Sequence, residues 1–262
     1  MNKQTYLQFC LHNGRTMRWL ESAMPLSVYI APYRFYTNAG DGLSYMEMAA
    51  QAFNYWEQVT GGKVRFEGVS SLLNSQINLD WKRVDRSSLG RCYFNKDSGN
   101  RLYSAEVEIG ISDGLVHAEY MSTGEVYHTI LHEVGHAIGL GHSPYTDDIM
   151  YTPHQYGVTE LSFKDIQTAN WLYQIPNNCS PSEFAGQYRM ASNNFDEVIA
   201  HITGGKGGKM PRQRFKKKRD LLEEQEMIAE MQKYNVMTSQ NIRLPNMYNR
   251  FQNNNNNKKG QS

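Results

Sequence analysis

The segment His132-Glu133-Val134-Gly135-His136-Ala137-Ile138-Gly139-Leu140-Gly141-His142 constrains this chain more than any other feature. Two histidines four apart on a helix share a face, so the imidazoles of His132 and His136 can reach one point. A third ligand from the same face would arrive at the wrong angle, so the helix has to stop. Gly139 can take the left-handed conformation that ends a helix, because it has no Cβ to clash. The turn through Gly139, Leu140 and Gly141 then returns His142 toward the same point. Three neutral nitrogens leave a fourth tetrahedral position for water, which is the layout of a catalytic zinc site and not of a closed structural one. Glu133 stands beside the ligands, placed to contact that water instead of the ion. His128 lies one turn earlier on the same face, but about 12 Å along the axis from His136, too far to share the ion. His117 and His154 fall in loops and read as surface residues.

The surrounding pattern is that of an α+β domain over residues 18–176. Runs at 26–30, 64–69, 77–81, 89–94 and 105–111 are rich in β-branched and aromatic residues and bounded by turn formers, so they read as five strands. Ala49, Ala52, Phe53, Trp56 and Val59 repeat at helical spacing, and Gly61-Gly62 stops that helix. Ser122 followed by Glu125 marks a capping box opening a second helix over 123–138. Ser162 with Asp165 opens a third, with Phe163, Ile166, Ala169 and Tyr173 on one face. One helix between the first two strands, then two helices after the last, predicts a mixed, mostly parallel five-stranded sheet with helices packed against it.

Charge divides the chain. Residues 1–176 hold 13 Lys/Arg against 18 Asp/Glu, and residues 177–262 hold 14 against 8, so the overall +1 conceals −5 followed by +6. Residues 1–17 read as an N-terminal segment. Residues 177–262 read as a basic, Asn-rich, largely disordered tail, with glycines at 204–208, six basic residues within 212–219 and one marginal helix near 221–234. No run of eighteen apolar residues exists, so no membrane-spanning helix is predicted. Cys10, Cys92 and Cys179 are too few and too scattered for a disulfide framework or a paired metal motif. Residues 1–11 lack a signal-peptide core, so the chain as written reads as cytoplasmic, while its true compartment stays open.

The eleven-residue segment resembles the extended zinc-binding motif of the metzincin endopeptidases. Asp148-Ile149-Met150-Tyr151 resembles the Met-turn that follows it in that group, and Ser143 after the third histidine is similar to the matrixin branch. Tyr151 directly after Met150 also resembles matrixins and differs from the tyrosine-ligand families. The resemblance runs from Arg18-Trp19 to Tyr173 and includes none of the tail. It implies peptide-bond hydrolysis with one catalytic Zn2+ held by His132, His136 and His142, Glu133 as general base, and Met150 packed beneath the imidazoles. It also implies an extended peptide substrate added to the edge strand through Gly90, Arg91 and Cys92, with Pro153 and Tyr156 walling the pocket that follows the cut.

The departures carry expectations of their own. No cysteine-switch segment is present, and the loop that holds structural zinc and calcium in matrix metalloproteinases is reduced to about residues 82–88 without its ligands. Neither structural zinc nor calcium is therefore expected. Arg91 and Glu108 fall where two histidines would hold that structural zinc, which predicts a cross-strand ion pair in its place. The chain is expected to act as a monomer on a protein or peptide substrate. The alternative is a nucleic-acid- or partner-binding protein acting through the basic tail, with the domain as scaffold. Phosphate contacts from 212–219 would carry that reading, but no recognised nucleic-acid module accompanies them.

Overall fold

The computed structural model describes residues 4–33, 44–83, 89–111 and 123–204. Five strands, β1 (Leu26–Ile30), β2 (Phe66–Gly68), β3 (Ile77–Arg83), β4 (Gly90–Lys96) and β5 (Leu102–Ile111), form one sheet in the order β2-β1-β3-β5-β4. The β1–β2, β1–β3 and β3–β5 pairs are parallel and β4–β5 is antiparallel, giving the mixed, mostly parallel sheet that the strand pattern predicts. The last pair has no choice of direction. Only a short turn separates β4 from β5, whereas a parallel pair needs a crossover of a dozen residues or more. Asp97 closes that turn by accepting from the amides of Gly99 and Arg101, and Asn100 takes the left-handed backbone there.

Helix α1 (Tyr45–Val59) connects β1 to β2 and begins earlier than its apolar repeat suggests. Ser44 and Glu47 form a reciprocal capping box there, satisfying amides that the first helical turn leaves unpaired. Its buried face carries Ala49, Ala52, Phe53 and Trp56, with Phe53 packed edge-on to Phe66 at 5.0 Å between ring centroids. Helix α2 (Thr123–Ala137) packs against α1 on one side and against β4 and β5 on the other. Two fully buried tryptophans fix it. Trp56 Nε1 donates to the carbonyl of Leu131, and Trp19 Nε1 to that of Ala137, one of the terminal carbonyls a helix cannot satisfy by itself. Helix α3 (Phe163–Leu172) opens with the Ser162/Asp165 capping box. Ile166, Ala169 and Leu172 form its buried face. Phe163 does not join them and is 43% exposed, because the first helical residue lies beyond the edge of the core. Among the described residues, no helix is long and apolar enough to cross a membrane.

The structure corrects the boundary drawn at residue 176. Helices α4 (Pro181–Gln187) and α5 (Phe195–Ile202) follow it, and Phe184, Ala185, Phe195, Val198 and Ile199 are buried in the same core as the rest. Each such Phe, Val or Ile contributes ~1.5–3 kcal/mol on burial. The local signals are present in the chain: Ser180 and Glu183 form a capping box with Pro181 at the first helical position, and Asn194 caps α5. Average composition over a long basic segment hides them. The N-terminal segment is likewise part of the domain. Thr5 bonds Asp196 of α5, Arg15 pairs with Glu183, and Thr16 exchanges backbone bonds with Asn178 and Cys179. The glycine-rich stretch, apart from Gly204, the basic run at 212–219 and the helix near 221–234 lie outside the described residues.

The cross-strand ion pair also needs correction. Register places Arg91 directly opposite Glu108, on one face of the sheet. Among the described residues, however, the Glu108 carboxylate pairs with Lys82 at 3.7 Å, and Lys82 also holds Asp80 at 3.0 Å. The neighbouring parallel strand β3 supplies the cation, and sequence spacing alone does not bring that strand within view.

Candidate active site

Three imidazoles converge at the C-terminal end of α2. His132 and His136 project from adjacent turns, and their Nε2 atoms lie 3.1 Å apart; His136 Nε2 lies 3.2 Å from His142 Nε2. Nitrogens bonded to one tetrahedral ion at ~2.0–2.1 Å would stand about 3.3–3.4 Å from one another, so the spacing fits a shared ion closely. Among the described residues, these three are the group of His, Cys, Asp or Glu able to hold a metal. The tautomers agree. His132 Nδ1 meets the carbonyl of Ile149 at 2.7 Å and His136 Nδ1 that of Leu140 at 2.8 Å. A carbonyl only accepts, so the proton sits on Nδ1 and the Nε2 lone pair points to the common centre. Burial holds His132 well below the ordinary imidazole range, pushes His136 down to about 4, and lowers His142. All three are neutral near pH 7, the state a metal ligand requires.

Local chain chemistry explains how they meet. Gly139 ends the helix with φ +100°, a conformation costly for any residue with a Cβ. The chain then turns, and the amide of Ser143, directly after His142, donates to the carbonyl of Met150 at 2.8 Å. Ser143 Oγ in turn donates to Asp148 and accepts from the amide of Tyr145. The third ligand and the turn at residues 148–151 are thereby tied together. Met150 is fully buried with its sulfur against α2 at Gly135, between the two helical histidines. Buried Asp165 holds the same turn from below: it accepts from the amides of Ile149 and Ser162 and from the Tyr6 hydroxyl, at 2.7–2.9 Å.

Glu133 is 6% exposed, and its burial pushes the carboxyl up to about 8. Strand β4 passes so close that a Cβ added to Gly90 would lie 2.7 Å from Glu133 Oε1. A cleft of about 650 Å³ runs between β4 and the loop after Met150. Its lining brings together His132, Glu133, His136, His142, Gly90, Arg91, Cys92, Pro153 and Tyr156, all the residues singled out by sequence except Met150, which lies beneath. Burial, and then the nearby Glu133, hold the Cys92 thiol well above its usual range, so it stays protonated. Tyr156 is 64% exposed at the mouth.

Sequence reasoning missed one group here. His154 is no surface residue: its Nε2 bonds Glu125, and the other carboxylate oxygen of Glu125 accepts from the amide of Gly157. His128 Nδ1 meets the carbonyl of Val158 at 2.6 Å. Two residues of α2 therefore pin the loop that forms the far wall of the cleft. Glu125 was legible as a capping residue; Ser122 and His117 lie outside the described residues, and nothing in the sequence marks the loop atoms that Glu125 reaches.

The comparisons with known proteins agree with this geometry. A protein described as "Putative matrix metalloproteinase" from Trichoplusia ni ascovirus 2c is 25% identical over 145 residues, covering 54% of this chain and 27% of that protein. The chain thus spans about a quarter of that relative's length. The sequence profile of the matrixin family matches residues 31–174, which include both halves of the histidine site and the turn beneath it, and the chain belongs to the matrixin family.

Proposed function

We propose that the chain is a zinc-dependent endopeptidase in which Glu133 is the general base. The observation that carries this reading is the convergence of three neutral Nε2 atoms beside a buried carboxyl, inside a cleft bordered by a sheet edge. When bound by His132, His136 and His142, zinc would supply a Lewis acid that polarises the scissile carbonyl and makes a coordinated water far more acidic than bulk water. Glu133 takes a proton from the attacking water and passes it to the departing amine. Its place in the cleft beside the three imidazoles suits both halves of that transfer.

The substrate is held by backbone pairing. The bond from the Gly110 amide to the Leu89 carbonyl sets the phase of the β4–β5 ladder, so Cys92 and Phe94 turn their backbone groups away from β5. An extended peptide added along that edge lies across the cleft, with Pro153 and Tyr156 opposite it. The test is zinc content together with cleavage of casein or a quenched peptide, with and without a chelator. One zinc per chain and cleavage that is lost on chelation and restored by zinc support the reading. Stoichiometric zinc with no cleavage of any peptide would leave a metal-binding scaffold instead.

A further inference from the structure

We infer that residues 6–17 act as a strut for the metal centre, packing on both glycines of the turn at residues 139–141 and so orienting the His136 ring and positioning His142. The inference builds on the metal-site reading above and adds a positioning role for a segment that the family match does not include.

The turn is framed by two glycines, and each faces the N-terminal segment. A Cβ on Gly139 would come 2.7 Å from the Met17 carbonyl oxygen. A Cβ on Gly141 would run into the Phe9 carbonyl oxygen and lie 3.1 Å from Cys10 Cα. Gly141 does not have the left-handed backbone, so its own conformation would accept a side chain. What excludes one is the segment packed on it. Cys10 completes the contact, its sulfur accepting from the Gly141 amide at 3.2 Å. Leu140, held between the two glycines, carries the carbonyl that orients the His136 ring, and the next residue after Gly141 is His142. The ring orientation of His136 and the position of His142 thus both depend on a turn whose two glycines pack against N-terminal backbone.

The segment can bear that role because it is anchored elsewhere. Tyr6 is fully buried, its hydroxyl bonded to Asp165 and its amide to Thr168 of α3. Thr5 is tied to α5, while Arg15 and Thr16 are tied to α4 and the residues before it. A flexible leader resting on the turn would transmit nothing. This one is fixed at both ends of the contact.

The test uses the full chain and reads metal binding directly: zinc affinity by competition with a chromophoric chelator, and the visible spectrum of the cobalt(II) form. Gly141→Ala should raise the zinc dissociation constant at least about tenfold and shift the cobalt bands, the scale typical of lost outer-sphere support. Cys10→Ala should weaken zinc several-fold, and Cys10→Ser should stay near the native value because a hydroxyl accepts the same amide bond. The double variant Gly141→Ala/Cys10→Ala should be little weaker than Gly141→Ala alone, since both remove one contact. Native affinity and spectrum in Gly141→Ala, or fully additive losses, would overturn the strut. If Gly141→Ala does not fold, Cys10→Ala against Cys10→Ser decides: a difference supports the strut and equality ends it. A native chain that binds neither zinc nor cobalt would instead overturn the metal reading, and this inference with it.

Discussion

His132 and His136 are placed by a helix; His142 is placed by a turn. The first two owe their geometry to four-residue spacing on α2, a regularity the backbone repeats by itself. The third owes its position to contacts outside the helix, from Phe9, Cys10 and Met17 far back in the chain and from Met150 in the turn that follows. One metal site thus combines a local and a non-local solution. The helical half is specified by a few neighbouring residues, whereas the turn half depends on the whole domain, including flanks on both sides of the family-matched region.

The largest expected effect breaks that comparison outright if it fails. A chain ending at residue 176 loses buried Phe184, Phe195, Val198 and Ile199, worth roughly 6–12 kcal/mol together. That is comparable with the whole stability of a domain. It should therefore lack a cooperative thermal transition, while a chain ending at residue 204 keeps these side chains and should melt cooperatively. Circular dichroism on both would decide, and a well-folded 1–176 chain would refute the integration of the flanks.

The next pair of variants sharpens the distinction between holding the metal and using it. Glu133→Ala, on the helical side, should keep one zinc per chain while kcat/KM falls at least about 10²-fold. His142→Ala removes the ligand delivered by the turn and should leave zinc substoichiometric after dialysis, because three ligands become two. Metal analysis beside peptide cleavage separates the two results; an active Glu133→Ala protein would mean the base is misassigned. The smallest effect is purely local. Ser162→Ala removes the cap of α3 and should cost about 1 kcal/mol in urea unfolding. A loss several times larger would show that this cap too is coupled to the distant flanks.

Legibility follows the same division. The sheet, α1, α2 and α3 were readable because period-two and period-3.6 patterns and capping boxes are written in adjacent residues, and the histidine spacing survives for the same reason. Helices α4 and α5 carried equally local signals at Ser180, Glu183 and Asn194, but these were outweighed by the basic, glycine- and asparagine-rich composition that follows. The long-range partners of Glu108, Glu125 and Asp165 were not readable at all. Each is joined to a residue on another segment, Lys82, His154 and Tyr6 respectively, and only the folded topology makes them neighbours.

Asp165 has a consequence for motion. One carboxylate with no solvent exposure accepts from the hydroxyl of Tyr6, the amide of Ile149 and the amide of Ser162, so three chain segments share a single acceptor group. None can detach without leaving a buried polar partner unsatisfied. Opening of the N-terminal segment, of the turn under the histidines and of the start of α3 is thereby joined into one cooperative event. In hydrogen exchange, the Ile149 amide should be released only with the slowest class of amides, together with the domain as a whole.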